Sequence, residues 1–157
     1  MAQKKIETQK REGDEILQLV SFKIANEEFG INILRVQEII RLMDITQLPE
    51  VPELVHGIIN LRDKVIPIIN LRRRLGLEDK ESDKDSRIII VEIGDTIFGF
   101  IVDSVSEVLR IPENTIQPPP ETISEIDSKN ISGISKLEDR LLIILDLENT
   151  LICDNMC

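Results

Sequence analysis

The chain repeats itself, and that duplication constrains the fold more than any other feature of the sequence. Residues 19–31 (LVSFKIANEEFGI) run beside residues 88–100 (IIIVEIGDTIFGF), with Phe29-Gly30 on Phe98-Gly99. The match continues without a gap. Val36-Gln37-Glu38-Ile39 falls on Val105-Ser106-Glu107-Val108, and Arg41 on Arg110. After an insertion, residues 57–75 (GIINLRDKVIPIINLRRRL) run beside residues 133–151 (GISKLEDRLLIILDLENTL). Leu61, Asp63, Asn70, Leu71 and Leu75 then meet Leu137, Asp139, Asp146, Leu147 and Leu151. The order is A-B followed by A′-B′, two copies of one plan and too few for a solenoid.

Each copy reads as strands and turns. Val20, Phe22 and Ile24 alternate with Ser21 and Lys23, the period of a strand. Residues 25–28 form a turn, and Phe29, Ile31 and Ile33 alternate again. In the second copy, residues 88–93 and 96–102 flank Gly94-Asp95, a dipeptide suited to a tight hairpin. Residues 54–61 and 65–70 flank Arg62-Asp63-Lys64; residues 130–137 and 141–145 flank Glu138-Asp139-Arg140. Short helical patterns follow at 71–75 and 146–151, with Asn70 and Asp146 where N-caps belong. Residues 36–41 and 105–111 each read as a turn followed by a strand. Pro67 inside an apolar run predicts an edge strand or a bulge. Many short strands with frequent turns predict an all-β fold, either a sandwich or a pair of small barrels. Residues 78–86 (EDKESDKDS) contain nothing apolar and predict a mobile, charged loop joining the copies. Pro118-Pro119-Pro120 predicts a stiff connector. Residues 1–14 read as a flexible polar N-terminal tail and 153–157 as a C-terminal tail.

Composition then removes whole classes of function. The 157 residues suffice for one domain or two small lobes sharing a core. Lys plus Arg is 19 and Asp plus Glu is 29, a net charge of −10 that works against nucleic acid and anionic membranes. Four Phe with no Trp or Tyr make no platform for stacking bases. No apolar run approaches the roughly 18 residues of a transmembrane helix, and the polar start lacks a signal-peptide core. Cys153 and Cys157 lie together at the end, cannot staple the fold and suit a reducing cytoplasm. His56 is the single histidine, which excludes multi-histidine metal sites; Cys153, Asp154 and Cys157 lack an obvious fourth ligand. No phosphate loop, nucleophile elbow or zincin motif occurs. The expectation is a protein without catalytic residues, metal or cofactor.

Residues 60–72, Asn60-Leu61-Arg62-Asp63-Lys64-Val65-Ile66-Pro67-Ile68-Ile69-Asn70-Leu71-Arg72, resemble the N-L-R-G-x-[VI]-x-P-[VI]-x-[ND]-L-R signature of the CheW family of bacterial chemotaxis coupling proteins. Residues 29–33 with 36–39, residues 98–108, and Gly133 with Asp146-Leu147 resemble the family's other motifs, so the likeness spans about 15–152. Asp63 stands in place of the signature's glycine. Aspartate accepts a left-handed backbone better than most residues, and the second hairpin carries Asp139 at the same place. The resemblance implies two intertwined five-stranded SH3-like barrels sharing a hydrophobic core, with a few short helices. One lobe would combine about 15–46 with 131–152, the other would span about 54–117. It further implies a non-enzymatic adaptor, without cofactor, between the cytoplasmic tip of methyl-accepting chemoreceptors and the regulatory domain of the histidine kinase CheA. Such a protein is cytoplasmic, recruited to receptor arrays at the inner face of the membrane without inserting into it. Two other readings stand beside this one: an adaptor of a non-flagellar sensory kinase, and a small-ligand-binding β-barrel.

The duplication also sorts candidate site residues, because a residue present in both copies serves the fold and one present in a single copy needs another reason. The recurring Gly30 and Gly99 take backbone roles, and Phe29 and Phe98 the core. Gly57 recurs as Gly133, which suggests a backbone role, while the resemblance places partner contacts at Gly57. Arg62 falls opposite Glu138, so the hairpin itself does not require a cation there; a guanidinium suits capture of a partner carboxylate. Glu38 recurs as Glu107, and the resemblance adds partner contact to its structural reading. Val36 and Val108 belong either to the core or to an apolar groove between lobes that takes a receptor helix tip. The expected partner-binding set is therefore Val36, Glu38, Gly57, Arg62 and Val108. Arg72-Arg73-Arg74, opposite Glu148-Asn149-Thr150, reads as a solvated helix face.

Overall fold

Among the described residues, ten strands and two short helices follow the duplicated order. They are β1 (Ile16–Ile24), β2 (Glu27–Asn32), β3 (Val36–Arg41), β4 (Val55–Leu61), β5 (Lys64–Ile69), α1 (Leu71–Arg74), β6 (Arg87–Ile93), β7 (Thr96–Val102), β8 (Ser104–Pro112), β9 (Ile131–Lys136), β10 (Leu141–Leu145) and α2 (Leu147–Leu151). The structure is a computed structural model that describes residues 15–49, 54–120 and 128–151. The two expected tails, with Cys153, Asp154 and Cys157, lie outside the described residues.

The strands form two five-stranded sheets with matching plans, β8-β1-β2-β10-β9 and β3-β6-β7-β5-β4. Each sheet joins the hairpin of one A copy to the hairpin of the other copy's B through a parallel pair. Phe29 and Gly30 face Ile143 and Ile144 in one; Ile68 and Ile69 face Gly99 and Phe100 in the other. The expected lobe boundaries need one correction: the third strand of each A copy changes sides. β3 pairs with β6, Val36 opposite Val91 through Arg41 opposite Arg87, and so belongs with residues 55–102. β8 pairs with β1, Ile16 opposite Pro112 through Lys23 opposite Ser104. The cause is local. Asp103 alone separates β7 from β8, and even the tightest common hairpin loop uses two residues. The chain therefore runs on into the neighbouring sheet instead of reversing.

Strand alternation divides the apolar residues among three clusters. Leu19, Ile111, Leu142 and Ile144 fill the lumen of lobe one, and Ile59, Ile66, Ile68, Ile88 and Ile90 that of lobe two. The opposite faces of both sheets meet in one shared cluster that includes Phe22, Phe29, Ile31, Ile69, Ile89, Val91, Phe100 and Ile143. Thus on β6, Ile88 and Ile90 face the lumen while Ile89 and Val91 face the other lobe.

Pro67 lies on neither an edge strand nor at the bulge of its ladder, since β5 runs between β4 and β7. It is tolerated because its partner Ile58 exchanges its backbone hydrogen bonds with Thr46, and the β7 ladder begins only at Ile68. No ladder bond needs the missing N–H. Asn70 and Asp146 act as the expected caps, accepting from the amides of Arg73 and Asn149 at 3.1 Å each.

The arginine cluster departs from a solvated face. Arg72 donates to Asp103 (2.6 Å) and to the Glu78 carbonyl (2.9 Å), Arg73 pairs with Asp79 (3.0 Å), and Arg74 donates to the carbonyls of Asn149 and Thr150 (2.8 and 2.7 Å). Arg72 and Arg73 hold the start of the 78–86 segment, Arg72 also holds Asp103, and Arg74 holds α2. The expectation of a loose 78–86 loop changes accordingly. The segment is largely exposed, yet it is tied to α1 at one end, and at the other a buried Ser86 accepts from the Asp83 amide (2.9 Å).

Between β4 and β5, Arg62 (φ 49°) and Asp63 (φ 68°) both adopt left-handed backbone, the pattern of a type I′ turn. Outside glycine, positive φ among the described residues is otherwise found only at Ala25, so Asp139 is no precedent for Asp63. The two hairpins are built differently. Replacing Asp63 with glycine is expected to raise stability by about 0.5–1 kcal/mol, the relief of a left-handed non-glycine residue less the added chain entropy. A urea midpoint that stays put or falls would show the aspartate to be fully accommodated.

Candidate partner-binding surface

Arg62 and Glu38, 24 residues apart, meet in space. Arg62 sits at the turn after β4, Glu38 on β3, and these are the two end strands of the second sheet. The guanidinium grips the carboxylate with both arms, at 2.7 and 2.5 Å, the geometry an Arg–carboxylate fork favours. Glu38 lies opposite Ile90, whose side chain fills the lumen, so the pair closes the open seam at the mouth of that barrel. The hydrogen bond from Arg62 holds the Glu38 carboxyl below its ordinary value of 4.5. A depressed acid is ionised at neutral pH, and the pair's contribution is lost as the pH falls through that lowered value. The Arg62 side chain remains 69% exposed and that of Glu38 31%. Water and salt therefore screen the pair strongly.

Gly57 is buried, and its backbone role is visible in its surroundings. It lies where residues 45–46 cross β4, with Thr46 and Ile58 exchanging two backbone bonds of 2.9 Å. A Cβ on Gly57 would stand 2.3 Å from the Thr46 carbonyl oxygen. Its copy, Gly133, lies under the matching crossing, where Gln117 bridges Ile134. The glycine is there for a close backbone approach.

The two valines separate. Val36 is half-buried against the shared core, as is its copy Val105. Val108 is 50% exposed and its copy Ile39 38%. Both lie opposite core-facing residues, Val20 and Ile89, and so mark the uncovered rim of the shared core. The structure thus joins Arg62 to Glu38 on lobe two, turns Val36 of the same strand toward the shared core, sets Val108 on the end strand of lobe one, and buries Gly57 within β4 under residues 45–46.

Two residues escaped the sequence reading. Asp103 accepts from the Ala25 amide (2.9 Å) and from Arg72 (2.6 Å), joining the two lobes at the crossover. Arg140 donates to the buried Glu28 (2.6 Å), to Asp139 (3.0 Å) and to Glu107 (3.4 Å). Glu107 is the copy of Glu38. The duplicated lobe therefore also ties its third-strand glutamate to a hairpin arginine, two positions along from the Arg62 register. The contrast of Arg62 with Glu138 is real in sequence and absent in space. An arginine beside the hairpin's Asp139 was the available signal.

A cleft of about 610 Å³ opens beside α1, lined by His56, Arg72, Arg73, Asp79, Lys80 and Asp103 among others. Its acids and bases are engaged with one another, Arg73 with Asp79 and Arg72 with Asp103. Burial holds His56 below its ordinary 6.5, against the pull of Asp79.

The chain thus forms paired SH3-like barrels with a fused core, exposed apolar rim positions and internally paired charges. The chain belongs to the CheW family: the CheW-like domain model matches residues 18–152. It is 40% identical over 145 residues to the chemotaxis protein CheW of Helicobacter pylori, covering 92% of this chain and 87% of that one. It is 35% identical over 128 residues to the chemotaxis protein CheW of Bacillus subtilis, covering 82% of each. Among solved structures, the scaffolding protein TtCheW from Thermoanaerobacter tengcongensis matches with a TM-score of 0.81 at 43% identity, over 88% of this chain and 90% of that one.

Proposed function

We propose that the chain is a non-enzymatic adaptor coupling the cytoplasmic tips of methyl-accepting chemoreceptors to the regulatory domain of the histidine kinase CheA. It acts in the cytoplasm, at receptor arrays on the inner face of the membrane. Among the described residues, no helix is long and apolar enough to cross a membrane. The observation that carries the reading is the half-exposed Val108 at the rim of the shared core. An apolar rim position flanked by charge is what a receptor helix needs for a desolvated centre and a polar border. Val36 packs on the shared core. On lobe two, Arg62 and Glu38 stand beside Ile39, the copy of Val108, and give that rim position a charged border. Gly57 contributes by shaping β4. Against the small-ligand alternative, the cleft at His56 has Arg72 and Arg73 already paired with Asp103 and Asp79.

The test is titration of the purified chain with a receptor signalling-tip fragment and with a CheA regulatory domain, separately and together. Arg62→Asn is the informative variant, because asparagine keeps the left-handed turn while removing the guanidinium. Glutamate there would instead confront Glu38. Receptor affinity is expected to fall roughly fivefold or more, as for loss of a charge-assisted hydrogen bond, with the thermal melt nearly unchanged. Unaltered receptor affinity would remove Arg62 from the surface; a lowered melt with unaltered affinity would make the seam its whole role.

A further inference from the structure

We propose that Arg140 and Glu107 are positioning residues for the binding face of lobe one: Arg140 reaches from the β9–β10 hairpin to Glu107 and fixes the segment of β8 that presents Val108. The inference rests on the reading of Val108 as a partner contact. Three observations carry it. First, β8 and β9 are the end strands of their sheet, with no backbone ladder between them among the described residues. Backbone bonds cross the seam beyond the end of β8, where Gln117 bridges Ile134 at 2.8 and 2.9 Å; beside Glu107 it is side chains that span it.

Second, β8 is loosened from β1 at this point. The register shifts between Val20 and Phe22, and the Glu107 amide turns to the Ser21 hydroxyl at 3.3 Å. A bulge re-aims the side chains beside it at the expense of ladder bonds. The strand bearing Val108 therefore needs another tether. Third, Arg140 is itself held. Its Nε lies 2.6 Å from Glu28, whose side chain is only 7% exposed, and its Nη2 then faces Glu107 at 3.4 Å. The tether runs from β2 through the hairpin to β8. Lobe two repeats the device: β3 shifts register between Val36 and Glu38, and Arg62 takes hold of that glutamate.

Glu107→Ala is the clean probe, since Glu107 is exposed and the Arg140–Glu28 contact survives its loss. A receptor signalling-tip fragment is titrated against the full chain and against Glu107→Ala, Glu107→Gln and Val108→Glu. Val108→Glu is expected to lose binding. Glu107→Ala is expected to weaken it about two- to fivefold, the scale of a partly exposed ion pair, with an unchanged melt. Glu107→Gln, which still accepts from Arg140, falls in between. The gap between the full chain and Glu107→Ala closes at about 1 M salt, where the screening length is near 3 Å. Amide exchange at residues 106–109 speeds up in Glu107→Ala. Unchanged affinity in Glu107→Ala while Val108→Glu abolishes binding overturns the positioning role. Unchanged affinity in Val108→Glu overturns the contact reading as well.

Discussion

Replacing Gly57 with alanine is expected to destabilise the protein by about 3 kcal/mol or more, beyond the ordinary run of single substitutions. The added carbon would sit 2.3 Å from the Thr46 carbonyl oxygen and 2.9 Å from Ile45 Cγ2. The carbonyl cannot move cheaply, because Thr46 is locked to Ile58 by two hydrogen bonds of 2.9 Å. Breaking that bridge gives up both backbone bonds that hold residues 45–46 across β4. Gly133→Ala makes the control. Its carbon would meet the side chain of Ile116 at 2.5 Å and the Gln117 carbonyl only at 3.2 Å. A side chain can rotate away, so about 1–2 kcal/mol is expected there. Urea denaturation of both variants measures the difference. Receptor titration at low temperature, on whatever Gly57→Ala remains folded, should give full affinity. A stable Gly57→Ala with weakened binding would return Gly57 to the surface.

The contrast between these glycines shows what a duplicated sequence reveals and what it conceals. Phe29-Gly30 against Phe98-Gly99 laid out the hairpins, and Asn70 and Asp146 marked both helix starts, because alternation and capping are local properties. The crossing of β3 and β8 was hidden. Val36 and Val105 show the same side-chain period whichever sheet receives them, and only the brevity of the Asp103 connection hints at the exchange. The charged pairs were hidden for a related reason. Glu38 and Arg62 lie 24 residues apart, and nothing local brings them together. Arg140 stands opposite Lys64 in the alignment, so the equivalence of the two seams emerges only when both hairpins are folded. Arg72, Arg73 and Arg74 looked solvated because the sequence shows their number and not the carbonyls and carboxylates waiting for them. Long-range polar contacts are set by topology, and topology here follows from how two copies share one core.

That sharing makes Phe22→Ala the other large effect expected, a loss of about 3–5 kcal/mol, the usual range for removing a fully buried ring. The Phe22 ring lies 5.8 Å from that of Phe29 in its own sheet and 5.7 Å from that of Phe100 in the other. All three side chains are fully buried, and Phe98 packs on the same cluster. The chain has four phenylalanines; every one serves the seam between lobes. Among the described residues, the lumens hold five and four buried residues, against eighteen in the shared cluster. Neither lobe alone has the core to offset its chain entropy. Phe22→Ala should therefore weaken both lobes together, although it alters a residue of only one. Far-UV circular dichroism should show a single transition at lower urea. Amide protection in β4–β5 and in β9–β10 should be lost at the same midpoint. If protection in β4–β5 outlasts that in β9–β10, lobe two stands by itself and the lobes are two folding units, not one.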